Sequence, residues 1–371
     1  MSWKLRASDL EDLARGATLL GTGGGGDPYI GKMLVERVLG DGHITVLDPE
    51  EIDDDMFVVP TAQMGAPTVM IEKIPAGTEA LLALRTLEEH LGRTADATMP
   101  IECGGINSMI PLAVAVEAGL PVIDADGMGR AFPELSMETF AVYGVHGSPL
   151  ALAGERGEKV VIDTGDDDKQ MEWLARGITI RLGGVGHIAE YSMTGADVKR
   201  TAVPRTLSMA LALGRAIRLA REEHASPFEA IAKTLSGTLY CHVRELFAGK
   251  VSDVERRTTD GFAKGRAVIS PLGADGGEEL EIVFQNENLV ARRGGIVMAI
   301  VPDLICVLDA ESGEPITTEG LRYGQRVRVL GISTPAMMRT PGALAAFGPA
   351  AFGLEEEFVP VEQPRLAPQP R

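Results

Sequence analysis

TMPIECGGINSMIPLAVAVEAGLPVIDADGMG, residues 98–129, predicts a strand, a glycine turn, a helix and a second strand. TMPIECGG (98–105) is apolar up to its acidic and glycine end. PLAVAVEAGL (111–120) follows with helix formers, and the first helical turn accepts Pro111 because its missing N–H has no intrahelical partner there. PVIDADGMG (121–129) then returns as a buried strand. A strand, a glycine or acidic turn and a helix, repeated, build a sheet whose loops gather at one edge, where α/β proteins place ligands.

The same alternation extends outward. Ser8 is placed to cap a helix carrying Leu10, Leu13, Ala14 and Ala17, with Glu11 at the capping-box position. Beyond GTGGGGDPYIG (21–31), Ile30, Met33, Leu34 and Val38 recur at helical spacing until Gly40 and Gly42. HITVLD and MFVVPTAQMG predict strands, and Glu79 to Leu91 a helix.

The second half changes character. GITIRLGG (177–184) and HIAEYSMTGADVKR (187–200) predict a hairpin, followed by helices over 204–223 and 226–237, the latter opened by Ser226 and Pro227. GRAVISPL, ELEIVFQNENLVARR, GIVMAIVPDLICVLD and RVRVLGIS are strands divided by Gly, Asp and Glu turns. The expected fold class is α/β plus β in two domains. These are an N-terminal α/β domain over 1–170 and a C-terminal domain over 171–355 with a β-rich core at about 240–335, the boundary set by the charged turn GDDDKQ. The helix over 204–223 has the option of packing on the first domain, and 356–371 is expected to be a flexible, proline-rich tail.

Composition narrows the function. With 371 residues, 45% of them apolar, the chain is long enough to bury a substantial core. No segment reaches the roughly 18 apolar residues of a membrane span, and MSWKLRASDLEDLARG lacks a signal-peptide core, so a cytoplasmic protein without a membrane partner is expected. Three scattered cysteines, Cys103, Cys241 and Cys306, make no disulfide framework. A net charge of −18 argues against nucleic acid, whose phosphates need clustered Lys and Arg. A small anionic substrate is still compatible, since one local arginine overrules the average field at contact distance. The acidic runs at 53–55, 166–168 and 355–357 are read as solvated turns.

Three glycine-rich stretches carry the candidate chemistry. In the first, Asp27 and Pro28 stand where a Walker A loop needs Lys and Ser or Thr, and a helix precedes the glycines where a dinucleotide fingerprint needs a strand. Gly23, Gly24, Gly25 and Gly26 are therefore either a wall that hugs a small ligand or a structural turn, and Asp27 is either an ordinary N-cap or an acid. In the second, Cys103 ends a strand before two glycines, where backbone amides favour a thiolate nucleophile or metal ligand, against the plain alternative of an inert buried thiol. Asn107 lies in the same stretch and is taken as a substrate contact. In the third, Asp124 or Asp126 faces the loop edge, Arg130 offers a carboxylate clamp and Glu134 an acid or base, unless Arg130 and Glu134 merely pair with each other. Among six histidines, His187 after the bend LGGVG is the one placed for a site. There is no HExxH, CxxC or GxSxG.

LGTGGGGDPYIG, ECGGINS, GLPVIDADGMGRAFPEL and PDLICVLDAESGEPITTEGLRYGQRVRVLGI together resemble the S-methyl thiohydantoin desulfurase family, over about residues 8–355. The resemblance implies a two-domain protein with α/β and β-rich parts. It also implies hydrolysis of the carbon–sulfur bond of a five-membered thiohydantoin to a hydantoin and a thiol, with kinship to hydantoinase and oxoprolinase chemistry. Two mechanisms are consistent with that reaction. In one, zinc held by Cys103, Asp126 and His187 lowers the pKa of a bound water and receives sulfur. In the other, Cys103 attacks the carbon. The zinc route is preferred, because the departing thiolate is no better a leaving group than the attacking cysteine. Asp27 or Glu134 would serve as acid or base, and Arg130 with the glycine loop and Asn107 would hold the small-molecule substrate. Ring-opening amide hydrolysis and a non-catalytic place in a hydantoinase-like complex are the alternatives, and a homo-oligomer is expected.

Overall fold

The quoted stretch lies at the centre of the first sheet of the computed structural model, which describes residues 1–65, 69, 75–259, 262–272 and 277–363. Strands β1 (Trp3–Leu5), β2 (Ile44–Leu47), β3 (Phe57–Gly65), β4 (Ala97–Met99) and β5 (Val122–Ile123) form one side of it, and β7 (Leu150–Ala153), β8 (Lys159–Ile162) and β9 (Val185–Ala189) the other; β10 (Met193–Thr194) pairs with β3, and β6 (Ala125–Asp126) pairs with β11 (Val203–Pro204) apart from the sheet. The spatial order is β1-β2-β5-β4-β3-β9-β7-β8. Neighbours among β2, β5, β4 and β3 are parallel, and Thr98 of β4 is in register with Val122 of β5. Helices α1 (Leu10–Leu20), α2 (Pro28–Leu39), α3 (Glu79–Leu91) and α4 (Ile110–Ala118) match their predicted positions closely. β3, parallel to β4 and antiparallel to β9, is buried along almost its whole length, as expected of a central strand covered on both faces.

Two local expectations are corrected. Ser8 does not cap α1; it lies in a 3-10 turn, where Asp9 accepts from the Arg6 amide at 3.0 Å. The hairpin over 177–200 does not form. GITIR completes the helix α5 (Asp168–Arg181), whose N-cap Asp167 accepts from the Gln170 amide at 2.9 Å, so the acidic run at 166–168 starts a helix. β9 joins the first sheet between β3 and β7, and Thr194 opens the helix Gly195–Thr201 with a Thr–Asp capping box.

The helix Thr206–Glu222 packs on α1, the option left open by the sequence. Glycines make the crossing close: a Cβ on Gly16 would sit 1.7 Å from the Ala210 carbonyl oxygen, and one on Gly214 1.7 Å from that of Asp12. Ser226 caps Pro227–Leu235.

From Val243 onward the chain forms an antiparallel sheet of β12 (Val243–Thr259), β13 (Phe262–Pro271), β14 (Leu280–Gln285), β15 (Glu287–Arg293), β16 (Ile296–Ile300), β17 (Leu304–Asp309) and β18 (Arg326–Ile332). Its order is β16-β15-β14-β13-β12-β18-β17. The fold is thus α/β plus β. The start of the expected flexible tail is instead docked. Val361 is fully buried, its amide donates to Asp303 Oδ2 at 2.8 Å, and Glu362 pairs with Arg339 at 2.6 Å. Residues 364–371 of that tail lie outside the described residues. No helix among the described residues is long and apolar enough to cross a membrane.

The glycine loop is the seam between the two sheets. Thr22 Oγ1 donates to the Ile305 carbonyl at 3.0 Å and accepts from the Ile305 amide at 2.9 Å. The Gly23 carbonyl accepts from Thr318, and the Thr22 carbonyl from Asn288.

Candidate active site

Beside this seam lies a pocket of about 50 Å³, bordered by Gly25 and Gly26, by Gln63 and Gly65 of β3, by Glu102 and by Glu287. One water needs ~10–15 Å³ on such a measure, so the space holds a few waters or a small group of similar bulk. Glu102 follows β4, whereas Glu287 opens β15, so the two carboxyls arrive from different sheets. The glycines allow this convergence. A Cβ on Gly24 would lie 2.1 Å from Glu287 Oε1, and one on Gly25, at φ +78, would lie 2.5 Å from the Gly104 carbonyl oxygen.

Each glutamate is anchored by one oxygen. Glu287 Oε1 accepts from the Gly25 amide at 3.3 Å, and Glu102 Oε1 from Asn107 Nδ2 at 2.8 Å. The other oxygens, Glu102 Oε2 and Glu287 Oε2, are buried with no hydrogen bond among the described residues. Burial pushes Glu287 up to about 8, although the Arg130 cation and the Gly25 amide draw it back. Burial, then repulsion by Glu287, holds Glu102 well above the usual carboxylate range, with Asn107 opposing. Two carboxyls of unequal proton affinity in one cleft are the ordinary makings of a general acid and base.

The residues singled out from sequence are placed unevenly. Gly25, Gly26, Asn107 and Glu134 border the pocket. Asn107 acts on its neighbours as well: its Oδ1 accepts from the Gln63 amide at 2.7 Å while its Nδ2 reaches Glu102, so one side chain positions both. Gly23 lies behind the wall, at φ +97 against Asn288. Asp27 is the N-cap of α2, accepting from the Tyr29 amide at 2.9 Å, and faces a different hollow with Arg15 and Glu314.

Arg130 is not a free clamp. It is fully buried, and its guanidinium donates to the carbonyls of Ala131, Asn288 and Asp303 at 3.0 to 3.1 Å, with Pro302 at 3.3 Å. Its charge still faces Glu287, and burial lowers it to about 10.

The zinc set does not assemble. Cys103 is buried outside the pocket lining, and desolvation with the nearby Asp126 and Asp124 pushes its thiol well above its ordinary value, which disfavours the free thiolate that the nucleophile role requires. Asp126 spends its oxygens on backbone amides, those of Cys103 at 2.8 Å, Met128 at 3.0 Å and Gly129 at 2.5 Å, and burial raises it to about 6. His187 sits on β9 opposite Gln63 in the strand register, and its ring interacts with Glu79 at the start of α3. Among the described residues no group of three or more His, Cys, Asp or Glu is arranged to hold a metal ion. These residues do not fit a zinc centre, and no step is routed through one.

Comparison with known proteins supplies the lineage. One family model, the S-Me-THD-like N-terminal domain, matches residues 8–164, and a second, the S-Me-THD-like C-terminal domain, matches 166–361. The chain belongs to the S-Me-THD-like family. Together the two matches cover nearly all of the chain that builds the two sheets, and the family is that of S-methyl thiohydantoin desulfurase. A crystal structure of a protein from Chromobacterium violaceum is similar at 26% identity and a TM-score of 0.81, covering 97% of this chain and all of that one. No curated protein matches. Within this S-Me-THD-like chain Glu102 lies inside the motif ECGGINS, whereas Glu287 lies outside the motifs that carry the resemblance. Glu102 was overlooked beside the more conspicuous Cys103. Glu287 was overlooked inside ELEIVFQNENLVARR, where a polar QNEN breaking an apolar strand was the available signal.

Proposed function

We propose that the protein hydrolyses the carbon–sulfur bond of an S-methyl thiohydantoin, giving a hydantoin and methanethiol, with Glu287 as general base and Glu102 as general acid. The observation that carries this reading is the pair of buried oxygens, Glu102 Oε2 and Glu287 Oε2, without a hydrogen bond among the described residues, on one small pocket walled by glycine. Family membership supplies the substrate class.

The roles follow from electrostatics. Arg130 stabilises the ionised form of Glu287, so Glu287 gives up its proton first, and the remaining negative charge keeps Glu102 protonated. Glu287 takes a proton from water as its oxygen adds to the sulfur-bearing ring carbon, and Glu102 passes its proton to the ring nitrogen of the C=N bond. The tetrahedral adduct then collapses. The C–S bond breaks, the thiolate takes the proton from Glu287, and the new hydroxyl returns one to Glu102 as the carbonyl forms. Both carboxyls end as they began, and the net change is addition of water and loss of thiol.

Incubation of purified protein with an S-methyl thiohydantoin and measurement of methanethiol tests the reading. Release that falls about 100-fold or more in Glu287→Gln and Glu102→Gln is expected. No release above background across several ring substituents overturns it, and a ring-opened carboxylate with sulfur retained would establish amide hydrolysis instead.

A further inference from the structure

Gln63 is a polar side chain on the pocket wall that the reaction scheme leaves unused. It is 2% exposed, and neither Oε1 nor Nε2 makes a hydrogen bond among the described residues. Its backbone is held on both sides by one side chain: the Gln63 amide donates to Asn107 Oδ1 at 2.7 Å and the Gln63 carbonyl accepts from Asn107 Nδ2 at 3.1 Å. β3 fixes it further, through its register with His187 of β9. The Gln63 backbone is thus held in place, and its side-chain amide borders the pocket without a hydrogen-bond partner among the described residues, next to two carboxyl oxygens with the same property. A buried amide left in this state costs stability, and such groups persist where a ligand pairs with them.

We infer that the Gln63 side chain reads the N–H/C=O edge of a five-membered cyclic amide, donating from Nε2 to the ring carbonyl and accepting at Oε1 from the ring N–H. A primary amide matches such an edge atom for atom, with two parallel hydrogen bonds. The inference rests on the ring-substrate reading above and makes it more specific. The sulfur-bearing carbon must face Glu102 and Glu287, so the edge offered to Gln63 is the one that excludes that carbon, N3–H with the C4 carbonyl. With the C=N bond of the substrate between C2 and N1, so that N1 is the nitrogen Glu102 protonates, this edge passes unchanged from substrate to product, and the product hydantoin suffices as a probe.

Calorimetric titration of the full-length protein with hydantoin, 1-methylhydantoin and 3-methylhydantoin tests it. The 3-methyl compound should bind about 100-fold more weakly than hydantoin, because it removes the donor and leaves a buried amide oxygen unpaired. The 1-methyl compound should stay within about tenfold. Gln63→Met, of similar length, should bind hydantoin and 3-methylhydantoin almost equally while keeping or raising the thermal midpoint, since it removes an unpartnered polar group. Equal binding of hydantoin and 3-methylhydantoin by the unaltered protein, absence of hydantoin binding, or a Gln63→Met variant that keeps the discrimination each overturns the inference. A parallel methanethiol assay separates the two readings. No thiol release with the binding ratio intact defeats the desulfurase reading alone; thiol release with no ratio defeats the role of Gln63 alone.

Discussion

Glu287 carries opposing demands, since burial raises its proton affinity while Arg130 lowers it, and it settles at about 8. As a base it works only when ionised, so kcat/KM should climb with pH through about 8 and level off above it, and this limb should vanish in Glu287→Gln. Stability should run the other way. A carboxyl raised from 4.5 to about 8 on folding contributes stability that is complete below 4.5 and is lost as pH rises through about 8. Thermal midpoints measured across that window should therefore fall less steeply for Glu287→Gln than for the unaltered protein. Cys103 gives the contrasting case. Its thiol is buried and held protonated, so Cys103→Ala should keep thiol-releasing activity within about twofold and lose about 1 kcal/mol in denaturant unfolding, the scale of one deleted buried group. A complete loss of turnover with the fold intact would restore cysteine to the mechanism.

Within the glycine loop, neighbouring residues meet different obstacles. A methyl on Gly24 runs into the Glu287 carboxylate, which is a side chain, whereas one on Gly25 meets the Gly104 backbone and also forces φ +78 on an alanine. Gly24→Ala should accordingly displace the base, lowering kcat/KM by about 100-fold for a stability cost near 1 kcal/mol. Gly25→Ala should cost about 2–4 kcal/mol, combining overpacking with backbone strain. Equal destabilisation of both would make the loop a turn and nothing more. The loop's close approach was legible in four consecutive glycines, as was the strand–helix–strand unit of β4, α4 and β5, because apolar runs and glycine punctuation are local signals. GITIR misled because its isoleucines alternate like a strand over a span too short to separate the two periods, while the cap that decides for helix lies ten residues upstream at Asp167. The pairing of Glu102 with Glu287 is illegible in sequence for a different reason: it depends on which strand ends abut across two sheets, and no spacing within the chain encodes that distance.

Arg130 joins the halves of the molecule. It leaves the first sheet at the DADGMGR turn, and its guanidinium occupies the carbonyls of Asn288, Pro302 and Asp303 around the second. The same cation is the main influence holding Glu287 down against burial. One residue therefore sets both the docking of the sheets and the proton affinity of the base, which ties catalysis to assembly of the whole fold. Arg130→Met keeps much of the apolar stem while removing charge and donors, and two separable effects should follow. Leaving buried carbonyls without donors should lower stability by about 3–5 kcal/mol, visible as a lower midpoint in denaturant. In the fraction that remains folded, Glu287 loses its stabilising cation, so the limb of the kcat/KM profile should move upward from about 8. Arg130→Lys should restore part of that pH shift, since the charge returns, but little of the stability, since an ammonium cannot span carbonyls set out for a planar fork. A profile that stays at its original pH in Arg130→Met, measured where the protein is folded, would mean that the arginine only holds the sheets together and that the affinity of Glu287 is set by burial and the Gly25 amide alone.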